Sequence, residues 1–252
     1  MTAATVPART TVPTRVLAFR VVKMLWQVTH QVILGYLLVM IVTFGLVGVG
    51  FAIFGHIEQS VWDWAAQSPK YFNVAVGIMI TPAALTTLVA HGVTRRVFAV
   101  AGSIYLAAVA LGMGVVWAVA YLVEHVIYAA ADWPQVLSTT HLFHSPTQSW
   151  AVVGEYFLLV FAHQTTGWLL GTSFTRYGWW GGITFMPVAL LPAVAAELLL
   201  LTQWVGKVLI EDAGWQRIPL PLAVPGVLLA CAAGLYGDYL LLRQIRLKPT
   251  RG

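Results

Sequence analysis

Six charge-poor apolar runs constrain this chain more than any other feature of its sequence. They cover residues 32–54, 71–90, 97–123, 150–170, 183–201 and 220–242. A helix that crosses a bilayer needs about 20 mostly apolar residues. Only 9% of the 252 residues are charged, whereas a soluble domain carries about 25%. A chain this apolar has too little polar surface to cover itself in water. The expected fold is an all-α membrane protein, a bundle of six transmembrane helices solvated by lipid.

The basic residues give the bundle a direction. With the N-terminus inside, Arg9, Arg15, Arg20, Lys23, Arg95, Arg96, Arg176, Arg243, Arg246, Lys248 and Arg251 fall on the cytoplasmic side, eleven of the 14 Lys and Arg residues. Only Lys70, Lys207 and Arg217 fall outside. Cytoplasmic loops of membrane proteins are enriched in cations, so both termini are expected in the cytoplasm. The formal net charge of +5 is then topogenic and does not point to nucleic acid. Trp62, Trp64, Trp133, Trp150, Trp204 and Trp215 lie near the outer boundaries and Trp179 and Trp180 near an inner one, the depth indoles prefer.

Outside the spans the pattern changes. Residues 1–14 are polar, with Pro7 and Pro13, and read as a disordered cytoplasmic tail without a signal-peptide cleavage site. In 15–31, Arg20, Lys23, Gln27 and His30 recur at helical spacing opposite Leu17, Val21, Leu25 and Val28. That predicts an amphipathic interfacial helix on the inner leaflet, or else a cytoplasmic extension of the first span. Residues 32–242 form the six-span domain and 243–252 a basic cytoplasmic tail. The longest external connection is 124–149, and 202–219 has room for one short helix around 204–210.

The connection between the second and third runs carries the most specific signal. It reads His91-Gly92-Val93-Thr94-Arg95-Arg96-Val97-Phe98. Gly92 can end one helix and Thr94 can cap the next, which leaves two arginines at the inner membrane face. The residues alone allow a tight topogenic turn or a docking element. The stretch LTTLVAHGVTRRVFAVAG, from Leu85 to Gly102, resembles the corresponding loop of ABC transporter permeases of the type-2 exporter class. Gly92, Val93, Thr94, Arg95, Arg96, Phe98 and Gly102 carry the resemblance. It implies a membrane-spanning subunit in a bacterial plasma (inner) membrane that exports a hydrophobic or amphipathic solute: a drug-like compound, peptide or lipid. It also implies that His91–Phe98 docks an ATP-binding cassette ATPase subunit. A second permease chain, the same or related, would complete the unit. The sequence has no GxxxxGK[ST] phosphate loop, so ATP and Mg are expected on the partner ATPase. No cofactor and no enzymatic activity are expected in this chain.

The remaining polar residues divide by depth. Glu155 and Glu197 lie in the outer halves of their spans and are candidates for a cavity or gate, since a carboxylate in hydrocarbon is costly. Asp238 sits near an inner edge, where snorkelling or a local hydrogen bond accounts for it. His141 and His144 form an HxxH pair in a Ser/Thr-rich loop, and His163 stands alone in the fourth span. Those histidines support an alternative reading as a membrane-bound redox or metalloenzyme subunit, though without a third ligand at a matching spacing. Ser103 and His163, both within spans, could in principle serve an intramembrane hydrolase, but Ser103 lacks a GxSx-type context and no oxyanion loop is apparent. Gly167 and Gly171 form a GxxxG pair that permits close helix packing. The lone Cys231 excludes an internal disulfide.

Overall fold

The computed structural model describes residues 13–54 and 58–245. The expected disordered tail falls almost wholly outside that range, as does most of the basic C-terminal tail. In chain order the elements are α1 (Thr14–Phe54), a one-turn α2 (Val61–Trp64), α3 (Ser68–Ala90), α4 (Arg95–Ala131), α5 (Ser149–Ala189), α6 (Leu191–Leu200), a one-turn α7 (Gln203–Gly206) that widens into a π-turn (Lys207–Asp212), and α8 (Leu220–Leu242). Among the described residues there is no strand, only an isolated bridge between Thr140 and Gln203. Five helical segments are long and apolar enough to cross a membrane: α1, α3, α4, α5 with α6, and α8. The chain is a multi-pass membrane protein.

The segment formed by α5 and α6 doubles back on itself. Gly178 interrupts the helix with φ 72° and ψ −168°, a conformation that only glycine adopts at little cost. On either side the two arms, 149–177 and 179–200, pair in opposite directions. The Ala193 amide donates to Thr166 Oγ1 at 3.1 Å. Glu197, further along the second arm, meets His163, which lies earlier on the first. Partner numbers fall as the chain advances, so the arms are antiparallel.

Lipid tails are as apolar as the side chains, so helices in a bilayer associate through close fit and polar contacts. The seam between α3 and the first arm of α5 uses both. A Cβ added at Gly167 would strike the Val74 carbonyl, and one at Gly171 the Ile78 carbonyl. Both partners advance by four residues, so the two helices run parallel. The GxxxG pair therefore packs within the subunit. Beside it, Gln164 donates to Asn73 at 2.7 Å. The Trp168 indole donates to Thr81 at 2.9 Å, and Thr81 shares a hydrogen bond with Thr172 at 2.7 Å. All of these side chains are buried.

α1 is continuous across the junction expected at 31/32. Its 41 residues span about 60 Å, twice the roughly 30 Å of a hydrocarbon core, so part of it must project from the bilayer. Val21, Leu25, Thr29 and Ile33 are buried along one face, and Thr29 is hydrogen-bonded to Tyr105 of α4. Beyond Met40, α1 is mostly exposed. α4 runs past its expected end at 123 to Ala131, which shortens the longest connection to 132–148. Asp238 is fully buried in α8 with neither carboxylate oxygen hydrogen-bonded, so it does not snorkel.

Candidate functional site

One end of the bundle gathers arginines. The turn between α3 and α4 reverses at Gly92, whose φ of 81° is left-handed. Thr94 Oγ1 then caps α4 by accepting from the Val97 amide at 3.3 Å. The seven residues expected to dock a partner take three different places. Val93 and Phe98 are buried. Arg95 donates to the carbonyls of Arg243 and Ile245, groups that a helix C-terminus leaves unpaired. His91, Gly92, Thr94 and Arg96 form the exposed surface. At the same end, Arg176 donates to Gln244.

The anchor beneath that surface reaches the core. The Phe98 ring meets Trp168 edge-on, 6.1 Å between centroids at 77°. Trp168 is the residue that donates to Thr81 in the α3–α5 seam. The exposed turn is thus joined through two aromatic rings to the most closely packed helix pair.

The opposite end carries a cap built on ion pairs. His141 Nε2 lies 2.6 Å from Asp63 Oδ1, and His141 Nδ1 lies 2.8 Å from Glu155 Oε1. All three side chains are fully buried. Asp63 also accepts from the Ser138 amide at 2.6 Å and from Tyr121 at 3.2 Å. Glu155 Oε2 accepts from the Leu142 amide at 2.7 Å. Burial alone would depress the His141 pKa, but Glu155 and Asp63 outweigh it and raise the imidazole to about 9. Burial would lift Asp63, but His141 and Ser138 hold its carboxyl down at about 2. His141 is therefore an imidazolium with both N–H groups donated. Neither nitrogen has a lone pair for a metal.

Other residues tie the cap to the helices. Glu124 accepts from the Val61 and Trp62 amides at 2.7 and 3.1 Å, closing the N-terminus of α2. Arg217 donates to the carbonyls of His141 and Leu201, each at 3.0 Å. His144, the other half of the HxxH pair, is exposed, and its amide is bound by Gln148. Among the described residues no group of three His, Cys, Asp or Glu is arranged to hold a metal. Ser103 Oγ donates to the Ala99 carbonyl one turn back in its own helix.

Glu197 belongs to a second cluster, deeper in the bundle. It is ion-paired with Lys70 of α3, and its Oε1 lies 3.4 Å from His163 Nε2. His163 Nδ1–H donates to the Leu159 carbonyl at 2.7 Å, which leaves Nε2 as the acceptor in the neutral ring. Lys70, counted as external by charge placement, is 1% exposed. Sequence spacing identified Glu155, Glu197 and His163 as isolated polar residues. It missed their partners Asp63, His141 and Lys70, which come from segments 14 to 127 residues away. The available signal was a lone lysine at the start of one apolar run and a lone glutamate near the C-terminal end of another.

No protein-family model, curated protein or solved structure matches this chain.

Proposed function

We propose that this chain is the membrane-spanning permease subunit of an ATP-driven ABC exporter of the type-2 class, crossing a bacterial plasma membrane six times with both ends in the cytoplasm. The antiparallel arms of α5 and α6 support the count, since the second arm, 179–200, is about 33 Å long at 1.5 Å per residue. The positive-inside rule supports the direction, because Arg95, Arg96, Arg176 and Arg243 share one end.

The observation that carries the functional reading is the construction of the turn at His91–Phe98. An exposed rim of His91, Thr94 and Arg96 sits on two buried anchors, Val93 and Phe98. A docking element that transmits motion needs both an accessible face and a stiff attachment to the helices it moves. ATP would bind and be hydrolysed on the partner chain. Its movement would enter α3 and α4 at this turn and change the packing along the α3–α5 seam. The exported solute would be hydrophobic or amphipathic.

Gentle purification of the tagged full-length chain from its native host tests the reading. An ATP-binding chain should co-purify in stoichiometric amount, and Arg96→Glu should release it without lowering the yield of folded membrane protein. Absence of any ATP-binding chain from a folded preparation would contradict the assignment.

A further inference from the structure

A cavity of about 450 Å³ lies between α3, the first arm of α5 and α6. The backbones of α3 and α6 do not approach each other closely, and the Lys70–Glu197 ion pair bridges the two helices. Each packs on α5, so the space between them is a groove with α5 as its floor. The walls include Tyr71, Val194 and Leu198, all exposed at the surface of the apolar bundle. The groove therefore opens sideways, towards lipid. His163 and Thr166 form its floor and Glu197 projects from its wall.

At the polar end of this groove, Glu197 is incompletely satisfied. Glu197 Oε2 is buried and has no hydrogen-bond partner. His163 Nε2 faces Glu197 with its lone pair, because Nδ1 already donates to Leu159. Thr166 Oγ1 accepts from the Ala193 amide and keeps its own O–H as a donor on the groove floor. The cation that compensates Glu197 is poorly served. Among the described residues the Lys70 ammonium has one hydrogen-bond partner, Glu197, although it carries three donors, and its other contact is the face of the Tyr71 ring at 5.3 Å. A buried ion pair is favourable only when its remaining protons and lone pairs are also satisfied. Lys70 lies in the first turn of α3, where a long flexible side chain can turn towards the headgroups.

We infer that the groove between α3 and α6 is a binding site for amphipathic amines entering from the bilayer, with the ligand ammonium replacing Lys70 on Glu197. The exchange keeps the local charge constant, which matters where the dielectric is low. The ligand ammonium brings N–H donors to Glu197 Oε2 and His163 Nε2, and its apolar body occupies the groove. An alcohol of the same shape brings one donor and cannot displace Lys70. A carboxylate meets Glu197 as a like charge and is excluded. The inference concerns binding by this chain alone and does not depend on an ATPase partner.

The test uses the purified full-length chain in nanodiscs with radiolabelled 4-phenylbutylamine at neutral pH, and 4-phenylbutanol and 4-phenylbutyrate as competitors. Saturable amine binding is expected, with weak competition by the alcohol and none by the acid. Glu197→Gln should weaken binding by at least about tenfold, the loss of one charge-assisted hydrogen bond. Lys70→Met should tighten it, because no cation is displaced. Val194→Trp, on the exposed wall, fills the groove while Glu197 and Lys70 remain, and it should abolish binding even if the charge variants fail to fold. Amine binding that survives Val194→Trp, or equal competition by amine, alcohol and acid, would overturn the site.

Discussion

The Arg95 guanidinium donates to the main-chain carbonyl of Arg243 and so ties the first turn of α4 to the last turn of α8. Two adjacent arginines of the same turn therefore have different roles. Arg95 is spent inside the molecule, and Arg96 faces out. Arg95→Ala should loosen the end of α8 and cost about 1 kcal/mol, because water can replace part of what is lost. Hydrogen exchange at the Arg243–Ile245 amides should rise. Arg96→Ala should leave those amides and the melting temperature unchanged.

The cap at the other end makes a prediction about pH. His141 rises from 6.5 to about 9 on folding, so its contribution is complete below 6.5 and fades as pH rises through 9. Asp63 falls from 3.8 to about 2, so its contribution is complete above 3.8 and is lost as pH falls through 2. The cap should be firmest between these limits, from about pH 4 to 6.5. Protection of the Ser138, Thr139 and Leu142 amides, followed from pH 5 to 10, should fall on the alkaline side. A flat profile would show that His141 is not held as an imidazolium.

Removing His141 should be severe. His141→Ala leaves Asp63 and Glu155 as buried carboxylates without their shared cation. Breaking a buried pair in this way costs about 3–5 kcal/mol. The double variant Asp63→Asn with His141→Ala should be less harmful than His141→Ala alone, a coupling readable in thermal unfolding of detergent-solubilised protein.

The glycines separate into two kinds. Gly167→Val drives a side chain into the Val74 carbonyl and should destabilise by about 1–3 kcal/mol. Gly112→Ala meets open space and should be neutral, or slightly stabilising because alanine is the better helix former. Melting temperatures of the two variants, compared with the parent chain, check the close approach directly.

Much of this was legible in the sequence, and the reasons are physical. Apolar length marks a helix in lipid, so the positions of the long segments emerged, and the bounds of α3 and α8 came within a few residues. Thr94 reads as a cap because its hydroxyl can reach the third amide of the helix it begins, and it does. Gly167 and Gly171 read as a packing face because nothing else fits between two backbones. The extent of the fourth segment was less legible. Its helix continues to Tyr177, and the reversal depends on Gly178 alone, between an arginine-tyrosine pair and two tryptophans. α4 ran on past 123 because Glu124 and Tyr128 are polar for a purpose, the first closing α2 and the second binding the Gln59 carbonyl.

The polar clusters were the least legible part. Each joins side chains from three segments, and periodicity carries no information about which helices become neighbours. His141 looked like half of a metal motif because HxxH is a local pattern. Its actual partners, Asp63 and Glu155, lie 78 and 14 residues away. Asp238 looked like an interfacial residue from its place near a helix end, but α8 turns it inwards.

The topology can be read one residue at a time. Single cysteines at His91, Trp180 and Ser145, in a Cys231→Ala background, should label with a membrane-impermeant maleimide as follows. In intact right-side-out cells only position 145 should react, and in inverted vesicles only 91 and 180. Labelling of 91 and 180 from opposite faces would break the antiparallel pairing of the α5 and α6 arms with six crossings.

The most direct measurement is site-specific photo-crosslinking at the turn between α3 and α4. A photoreactive residue placed at position 91 or 96 of the full-length chain, in its native host, should capture an ATP-binding chain upon irradiation. The same residue at position 145, in the cap, should not. Crosslinks to an ATP-binding chain from 91 and 96 alone would establish the turn as the docking element. A folded chain that yields no such adduct from either position would contradict the permease assignment.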